Sequence, residues 1–259
     1  MPAHPSRCNR TADSGPFDII GDVHGCRDEL DDLLERLGYV RDATGLWTHT
    51  GARKVVFLGD LVDRGPRIID TLRTAIQMVE AGTALCVTGN HEVKLRRKLA
   101  GVEIPVAHGL DRSLAELDVS PPDVRREVCR FLDGLPSHYV LDSGRLVVAH
   151  AGLREDLQGH DAEEVLAFAT VGETAGDDGT GQFPVPFAWV VGYTGSAAVV
   201  YGHTPVREPR WVNRTINIDT GCVMGGHLTA LRWPEEELLA VAARRQYAVP
   251  SRPLREERP

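Results

Sequence analysis

The chain has no apolar run long enough to span a bilayer, so no transmembrane helix is expected. Residues 1–16 are polar, carry Pro2, Pro5 and Pro16 and have no apolar h-region, so no secretory signal is expected there and the cytoplasm is the expected location. The five cysteines (Cys8, Cys26, Cys86, Cys129 and Cys222) form no CxxC pair. Their odd number fits reduced thiols rather than a disulfide framework, and Cys86 and Cys222 read as small buried hydrophobes. Excess positive charge is also missing: the net charge is -8, so the overall field does not draw nucleic acid and an anion must be captured locally. Lysine is scarce, with Lys54, Lys94 and Lys98 making the full set. Two of them stand in Lys94-Leu95-Arg96-Arg97-Lys98, which is either a local anion site or a solvated helix face. Internal repeats are absent, and charged, Pro-rich low-complexity sequence is confined to the tail from Pro250 onward, which reads as frayed.

What is present begins with five polar motifs, each closing an apolar run. They are Asp22-Val23-His24, Gly59-Asp60-Leu61-Val62-Asp63-Arg64, Gly89-Asn90-His91-Glu92, Ala149-His150-Ala151-Gly152 and Tyr201-Gly202-His203-Thr204. The preceding runs, 17–20, 55–58, 85–87, 146–148 and 199–201, are rich in β-branched and aromatic residues and read as buried strands. Between the first two, Leu30, Leu33, Leu34 and Leu37 recur at helical spacing and Gly38 supplies a stop. A second helix is predicted over about 66–79, burying Ile68, Ile69, Leu72, Ile76 and Val79. Strand, helix, strand in this order predicts an α/β fold, a buried sheet with helices on its faces and ligands at the carboxyl ends of the strands. Residues 93–140 read as a helical insert over the sheet edge, and 215–218 and 228–233 as two more strands. The glycine-rich, acidic segment 172–186 reads as a surface loop able to cover the site. With 42% hydrophobic residues the chain can bury one large core. A disordered extension (1–16), one domain (17–249) and a flexible tail (250–259) are expected.

The motif residues form a nitrogen and oxygen donor set without thiolate, the set that borderline divalent metals prefer. Asp22 and His24 lie two residues apart in extended geometry and can reach one ion. Asp60 can bridge that ion to a second completed by Asn90, His150 and His203. Two ions about 3.5–4 Å apart clamp the oxygens of an in-line phosphoryl displacement. Arg64 offers a forked guanidinium to two phosphate oxygens. His91 can protonate a leaving alkoxide, with Asp63 holding its tautomer. Lys94 and Arg97 are added as substrate-binding candidates.

These residues resemble the phosphoprotein-phosphatase branch of the calcineurin-like metallophosphoesterases, from Asp18 to about Trp233 and including Ile218-Asp219-Thr220-Gly221-Cys222. The resemblance implies an α+β fold, a β-sandwich flanked by helices. It implies that Asp22, His24 and Asp60 hold one metal and Asp60, Asn90, His150 and His203 the other. It matches Arg64 to the phosphate-binding arginine, His91 with Asp63 to an acid dyad, and Asp219 to an aspartate behind the ligands. Within that branch, Gly89 to Leu95, Ala107 to Leu110, Phe131 to Tyr139 and Asn213 to Gly221 are similar to the phosphatase domain of bacterial polynucleotide kinase-phosphatase. That similarity implies removal of 2′, 3′ or 2′,3′-cyclic phosphates from RNA ends in RNA repair, with manganese or nickel. Cobalt or iron would suit the same donors. No G-x-x-x-x-G-K-[ST] loop is present, so kinase activity is not expected in this chain, and a kinase or ligase would be a separate partner or a neighbouring domain.

Each group has a plainer reading. His4, His49, His160 and His227 are assigned to the surface, while His108 and His138 stay open. Asp63 with Arg64 could be a surface ion pair, and Asp219 a turn residue before Thr220-Gly221. The same metal core also suits dinucleoside tetraphosphates or phosphoproteins as substrates, and a binding module without catalysis is the remaining class. Arg64 and His91 argue against that module, because a pure binder needs no acid.

Overall fold

The computed structural model describes residues 7–173 and 188–250. In chain order the first half holds β1 (Phe17–Ile20), α1 (Arg27–Leu37), β2 (Tyr39–Arg41), β3 (Trp47–His49), β4 (Lys54–Phe57), α2 (Ile68–Glu80), β5 (Ala84–Cys86), α3 (Asn90–Leu99), α4 (Leu110–Val119) and α5 (Pro122–Gly134). The second half holds β6 (His138–Leu141), β7 (Leu146–Ala149), α6 (Glu163–Val171), α7 (Ala188–Val191), β8 (Ala198–Tyr201), β9 (Trp211–Val212), β10 (Thr215–Asn217), β11 (His227–Trp233) and β12 (Glu237–Ala242).

Ten of these strands form two sheets, ordered β12-β11-β1-β4-β5 and β6-β7-β8-β10-β9, while β2 and β3 make a separate hairpin. In the first sheet β1, β4 and β5 run parallel and β11 and β12 add antiparallel pairings on the other side of β1; in the second, β7, β8 and β10 run parallel between antiparallel edges β6 and β9. Period-two alternation explains the layering. Phe17, Ile19, Val56 and Leu58 face Leu146, Val148, Val200 and Ile216 between the sheets. Ile20, Val55 and Phe57 face the other way, onto the leucines of α1 and the apolar side of α2. On the far side of the second sheet, Val147, Ala149 and Tyr201 meet Val165, Ala169 and Trp189. The architecture is a β-sandwich flanked by helices, as the resemblance implied.

Helix α1 shows how locally this is encoded. Leu30, Leu33, Leu34 and Leu37 are fully or almost fully buried, each contributing about 1.5–3 kcal/mol relative to exposure. Gly38 ends the helix at φ 94°, the left-handed conformation glycine adopts without strain.

Asp18 departs from the alternation. It is a fully buried carboxylate on β1 that accepts hydrogen bonds from Arg53 Nε (3.1 Å), Tyr39 OH (3.0 Å) and Arg232 Nε (3.3 Å). Removing it strands the nearly buried Arg53 guanidinium, although Glu235 still holds one side of it at 2.8 Å. Asp18→Ala is therefore expected to cost about 3 kcal/mol and lower Tm by about 6–12 °C. A melting curve within 2 °C of wild type would contradict this, the ~2 °C mark being the effect of less than about 1 kcal/mol.

Three expectations need correction. Residues 7–16 are not disordered: Cys8 is buried, Val140 N–H donates to Cys8 O (2.8 Å) and Arg10 N–H to Val140 O (2.9 Å). The edge strand β6 leaves unpaired backbone groups, and this segment satisfies them. The helical insert consists of α3, α4 and α5 and ends at Gly134, because His138–Leu141 forms that edge strand. Strands β2, β3, β9 and β12 were not expected. Most of the 172–186 loop, the first six residues and the tail beyond Pro250 lie outside the described residues. Among the described residues no helix is long and apolar enough to cross a membrane.

Candidate active site

Parallel strands β1, β4 and β5 of one sheet and β7, β8 and β10 of the other end on the same side of the molecule. Just beyond them stand Asp22, Asp60 and Asn90, then His150, His203 and Asp219. The loops that carry them are tightly bent. His24, Asp60, Asp63, Arg64 and His203 have φ of 44°, 47°, 70°, 65° and 72°. Such left-handed positions cost non-glycine residues about 1–3 kcal/mol each and persist where surrounding contacts over-determine them. Glu92 provides that support: its buried carboxylate accepts the N–H groups of Asp60 (2.7 Å), Leu61 (2.8 Å) and Gly89 (2.9 Å). Gly202 provides space, since a Cβ there would lie 2.3 Å from Asp22 Oδ1.

Two tight clusters result, His24–Asp60–His91 and Asp60–His150–His203, with Asp60 common to both. Asp60 Oδ2 is 3.5 Å from His24 Nε2 and 3.5 Å from His150 Nε2. Hydrogen bonds set the imidazole tautomers. His24 Nδ1 donates to Val62 O (2.7 Å) and His150 Nδ1 to Leu58 O (3.1 Å), so each Nε2 lone pair turns inward. His150 Nε2, Asn90 Oδ1 and His203 Nδ1 then form a triangle with sides of 3.0, 3.0 and 3.1 Å.

A neutral His150 offers Asn90 Oδ1 no proton, so two acceptors face each other at hydrogen-bond distance. Metal–nitrogen bonds of about 2.0–2.1 Å place neighbouring corners of an octahedral shell about 3 Å apart, which is the spacing found. The donor set therefore fits a divalent cation. Electrostatics agree: burial first, then Arg64, pushes His150 down to about 3, and burial first, then His150 and Arg64, pushes His203 down to about 3. Burial likewise holds His24 well below its ordinary value. These imidazoles are neutral and present lone pairs. Burial raises Asp60 and Asp219 to about 6 and Asp22 well above its usual range, with repulsion from Asp219 and Asp60 adding to the rise at Asp22 and repulsion from Asp60 to that at Asp219. Buried carboxylates crowded in this way are relieved by a cation.

His91 and Asp63 form a second unit. His91 Nδ1 is 2.5 Å from Asp63 Oδ2, and Ser113 of α4 donates to Asp63 Oδ1 while accepting the Asp63 N–H at 3.0 Å. Burial pushes Asp63 up to about 7 and His91 well below its ordinary value, so the pair shares one proton rather than carrying separated charges. Arg64 bridges this unit to the first cluster, its guanidinium donating to His24 Nε2 (2.7 Å) and His91 Nε2 (2.9 Å). The Arg64 backbone is clamped by Arg112, which donates to its carbonyl at 2.6 Å, and by Gly109, where a Cβ would stand 2.4 Å from Arg64 N.

Nearly all the sequence candidates are thus brought together. Asp22 lies on the flank of the first cluster, accepting His203 N–H at 3.2 Å beside Asp219. Asp219 is both a turn residue, accepting Gly221 N–H at 3.0 Å, and part of this carboxylate group. Lys94 contributes positive charge to Asp60, His91, His203 and His108. Arg97 is not brought to the site. It is exposed one turn further along α3, while the site sits at the start of that helix. His108 stands exposed within the field of Lys94 and Arg64. His138 is a buried structural residue accepting Gly159 N–H at 2.8 Å. Sequence reasoning assigned no role to Glu92 or Ser113. The capping position of Glu92 after Gly89 was the available signal for the first, and Ser113 had none.

A two-sheet sandwich whose strand ends converge on paired clusters of aspartate, asparagine and histidine defines a metal-dependent phosphoester hydrolase. Residues 15–227 match the calcineurin-like phosphoesterases, and the chain belongs to that family, whose members carry a binuclear divalent metal centre. Two similar proteins are called bis(5′-nucleosyl)-tetraphosphatase PrpE (asymmetrical). The one from Geobacillus sp. strain WCH70 is 44% identical, covering 89% of this chain and 96% of its own. The one from Bacillus subtilis strain 168 is 43% identical with the same coverage. A solved structure described as a candidate diadenosine tetraphosphatase is 27% identical with a TM-score of 0.65, covering 91% of this chain and 96% of its own. A Saccharomyces cerevisiae protein serine/threonine phosphatase shares the fold, with a TM-score of 0.58 at 13% identity. The narrower likeness to polynucleotide kinase-phosphatase is corrected by these relatives. They carry the tetraphosphatase name over almost their whole length, and the expectation of RNA repair with a kinase or ligase partner loses its basis.

Proposed function

We propose that this protein hydrolyses dinucleoside tetraphosphates asymmetrically, adding one water to give a nucleoside triphosphate and a nucleoside monophosphate. Asp22, His24 and Asp60 would hold one divalent cation and Asp60, Asn90, His150 and His203 another. The observation that carries the metal assignment is Asp60 Oδ2, equidistant from the inward lone pairs of His24 and His150. Manganese suits this nitrogen and oxygen set, as do nickel, cobalt and iron. Such a pair supplies Lewis-acid stabilisation of the phosphoryl oxygens. The chain's own groups do the rest. Arg64 turns its two donors from His24 and His91 to two oxygens of the attacked phosphate. His91, whose Nε2 lone pair accepts from Arg64, would on release take up a proton from solvent at Nε2 and pass it to the departing oxygen, its Nδ1–H staying hydrogen-bonded to Asp63.

The substrate class is supported by the tetraphosphatase relatives and by local charge. Arg64 and Lys94 place positive charge beside Asp60 and His91 in a chain of net charge -8, as capture of a polyphosphate linker requires. The test is a panel with manganese: diadenosine tetraphosphate, RNA ending in a 2′,3′-cyclic, 2′ or 3′ phosphate, and a phosphopeptide. Highest kcat/KM is expected on the tetraphosphate, and turnover of RNA ends alone would overturn the proposal.

Two further outcomes follow. Chelation should abolish activity and lower Tm by about 5–10 °C, the effect of losing about 2.7 kcal/mol of ligand stabilisation at a hundredfold excess over Kd. Unchanged Tm after verified metal removal would contradict the ligand set. Ser113→Ala removes both hydrogen bonds between α4 and Asp63 and leaves only the His91 contact on its carboxylate, and should lower kcat on alkyl phosphates about tenfold or more while metal content stays constant. Full activity would show that the α4 contact is dispensable.

A further inference from the structure

One buried constellation beside the site is not accounted for by phosphate chemistry. Cys26, Glu29 and Cys222 each offer a ligand atom within 4.8 Å of the other two. All three are sealed from solvent, at 0%, 0% and 1% exposure. Cys26 precedes α1 and Glu29 lies in its first turn, three residues on, so both project from one face of the helix start. Cys222 reaches them from the loop after β10, where it opens a single 3-10 turn.

Small buried cysteines alone would read as packing. Glu29 changes that reading. Its Oε1 accepts Arg244 N–H (2.9 Å) and Tyr247 OH (2.7 Å), yet Oε2 is buried with no hydrogen-bond partner. A carboxylate oxygen withdrawn from water without compensation is costly, and such atoms in folded proteins are normally satisfied. The Cys26 side chain makes no capping hydrogen bond to the helix it precedes; its sulfur instead meets the Cys222 thiol in a hydrogen bond, which puts both sulfurs side by side.

We propose that Cys26, Glu29 and Cys222 form a metal site, separate from the catalytic centre, that takes a thiophilic divalent cation such as zinc. Two thiolates and a carboxylate select zinc over manganese or magnesium, whereas the strand-end set has no sulfur. Binding releases two thiol protons and places both sulfurs and Glu29 Oε2 on the cation, which satisfies the orphaned oxygen. The site would pin two loops of the active centre together. Cys26 follows His24 by two residues, and Cys222 follows Asp219 by three.

Cobalt(II) is the probe, because only a thiolate ligand produces a sulfur-to-cobalt charge-transfer band in the near ultraviolet. Metal-stripped full-length protein titrated with cobalt should develop this band. It should survive in Cys129→Ser and in Asp60→Ala and disappear in Cys222→Ser. Glu29→Gln should keep the fold and weaken cobalt binding at least tenfold. If Cys222→Ser fails to fold, the wild-type band and the Glu29→Gln affinity decide the matter. Absence of the band in folded wild-type protein, or its persistence in folded Cys222→Ser, would overturn the proposal. So would a Glu29→Gln affinity equal to wild type.

Discussion

Asp60→Ala is expected to reduce kcat/KM on every phosphoester by about 10³-fold or more, a loss of about 4 kcal/mol in transition-state stabilisation. The reason is positional. Asp60 is the one side chain shared by both clusters, and its Oδ1 also accepts the His91 N–H at 3.1 Å. Metal content should fall below two ions per chain in the same variant. Stability should move the other way in metal-free protein. Burial raises the Asp60 carboxyl from 3.8 to about 6, so its ionised form destabilises the fold, a penalty absent below the unfolded value and complete above about pH 6. That rise corresponds to about 3 kcal/mol at most, partly offset by the cavity left by the substitution. Metal-free Asp60→Ala should therefore melt no lower than metal-free wild type at pH 7.5. Retention of both ions with a tenth of wild-type activity would refute the bridging role.

His91→Ala should separate substrates by leaving group. General acid catalysis contributes about 10²–10⁴-fold where the departing oxygen needs a proton. An alkyl phosphate should lose that much, and a nitrophenyl ester, whose leaving group departs unprotonated, less than about tenfold. The pairing behind this is the 2.5 Å contact with Asp63, fixed in turn by Ser113. A dinucleoside tetraphosphate should behave like the nitrophenyl ester, since its nucleotide leaving group is a phosphate with a second pKa of about 6 that departs unprotonated. Equal losses on alkyl and nitrophenyl esters would assign His91 to structure or metal binding instead.

Much of this site is written in short stretches of sequence. Aspartate and histidine after β-branched runs mark strand ends, and the leucines of α1 with Gly38 define a helix and its stop. What stayed hidden is long-range. Nothing local says that β7, β8 and β10 form a second sheet facing the first, because both sheets use the same buried apolar runs. The edge strand β6 follows the insert helices directly and carries no alternation of its own to separate it from them. Strand β12 is half exposed, so its pattern is weak. Glu92 acts on backbone N–H groups about thirty residues away, and Ser113 on a carboxylate fifty residues away, contacts set only by tertiary packing. Arg97 failed for the complementary reason: proximity in sequence to Lys94 did not bring it to the helix start. Substrate was the least legible feature, since one metal core serves phosphomonoesters, RNA ends and phosphoanhydrides alike.

The most direct test of the central claim is the identity of the nucleotides formed from diadenosine tetraphosphate with saturating manganese. The account predicts ATP and AMP in equal amounts, with neither formed by Asp60→Ala. Two molecules of ADP, or an untouched tetraphosphate beside dephosphorylated RNA ends, would contradict it.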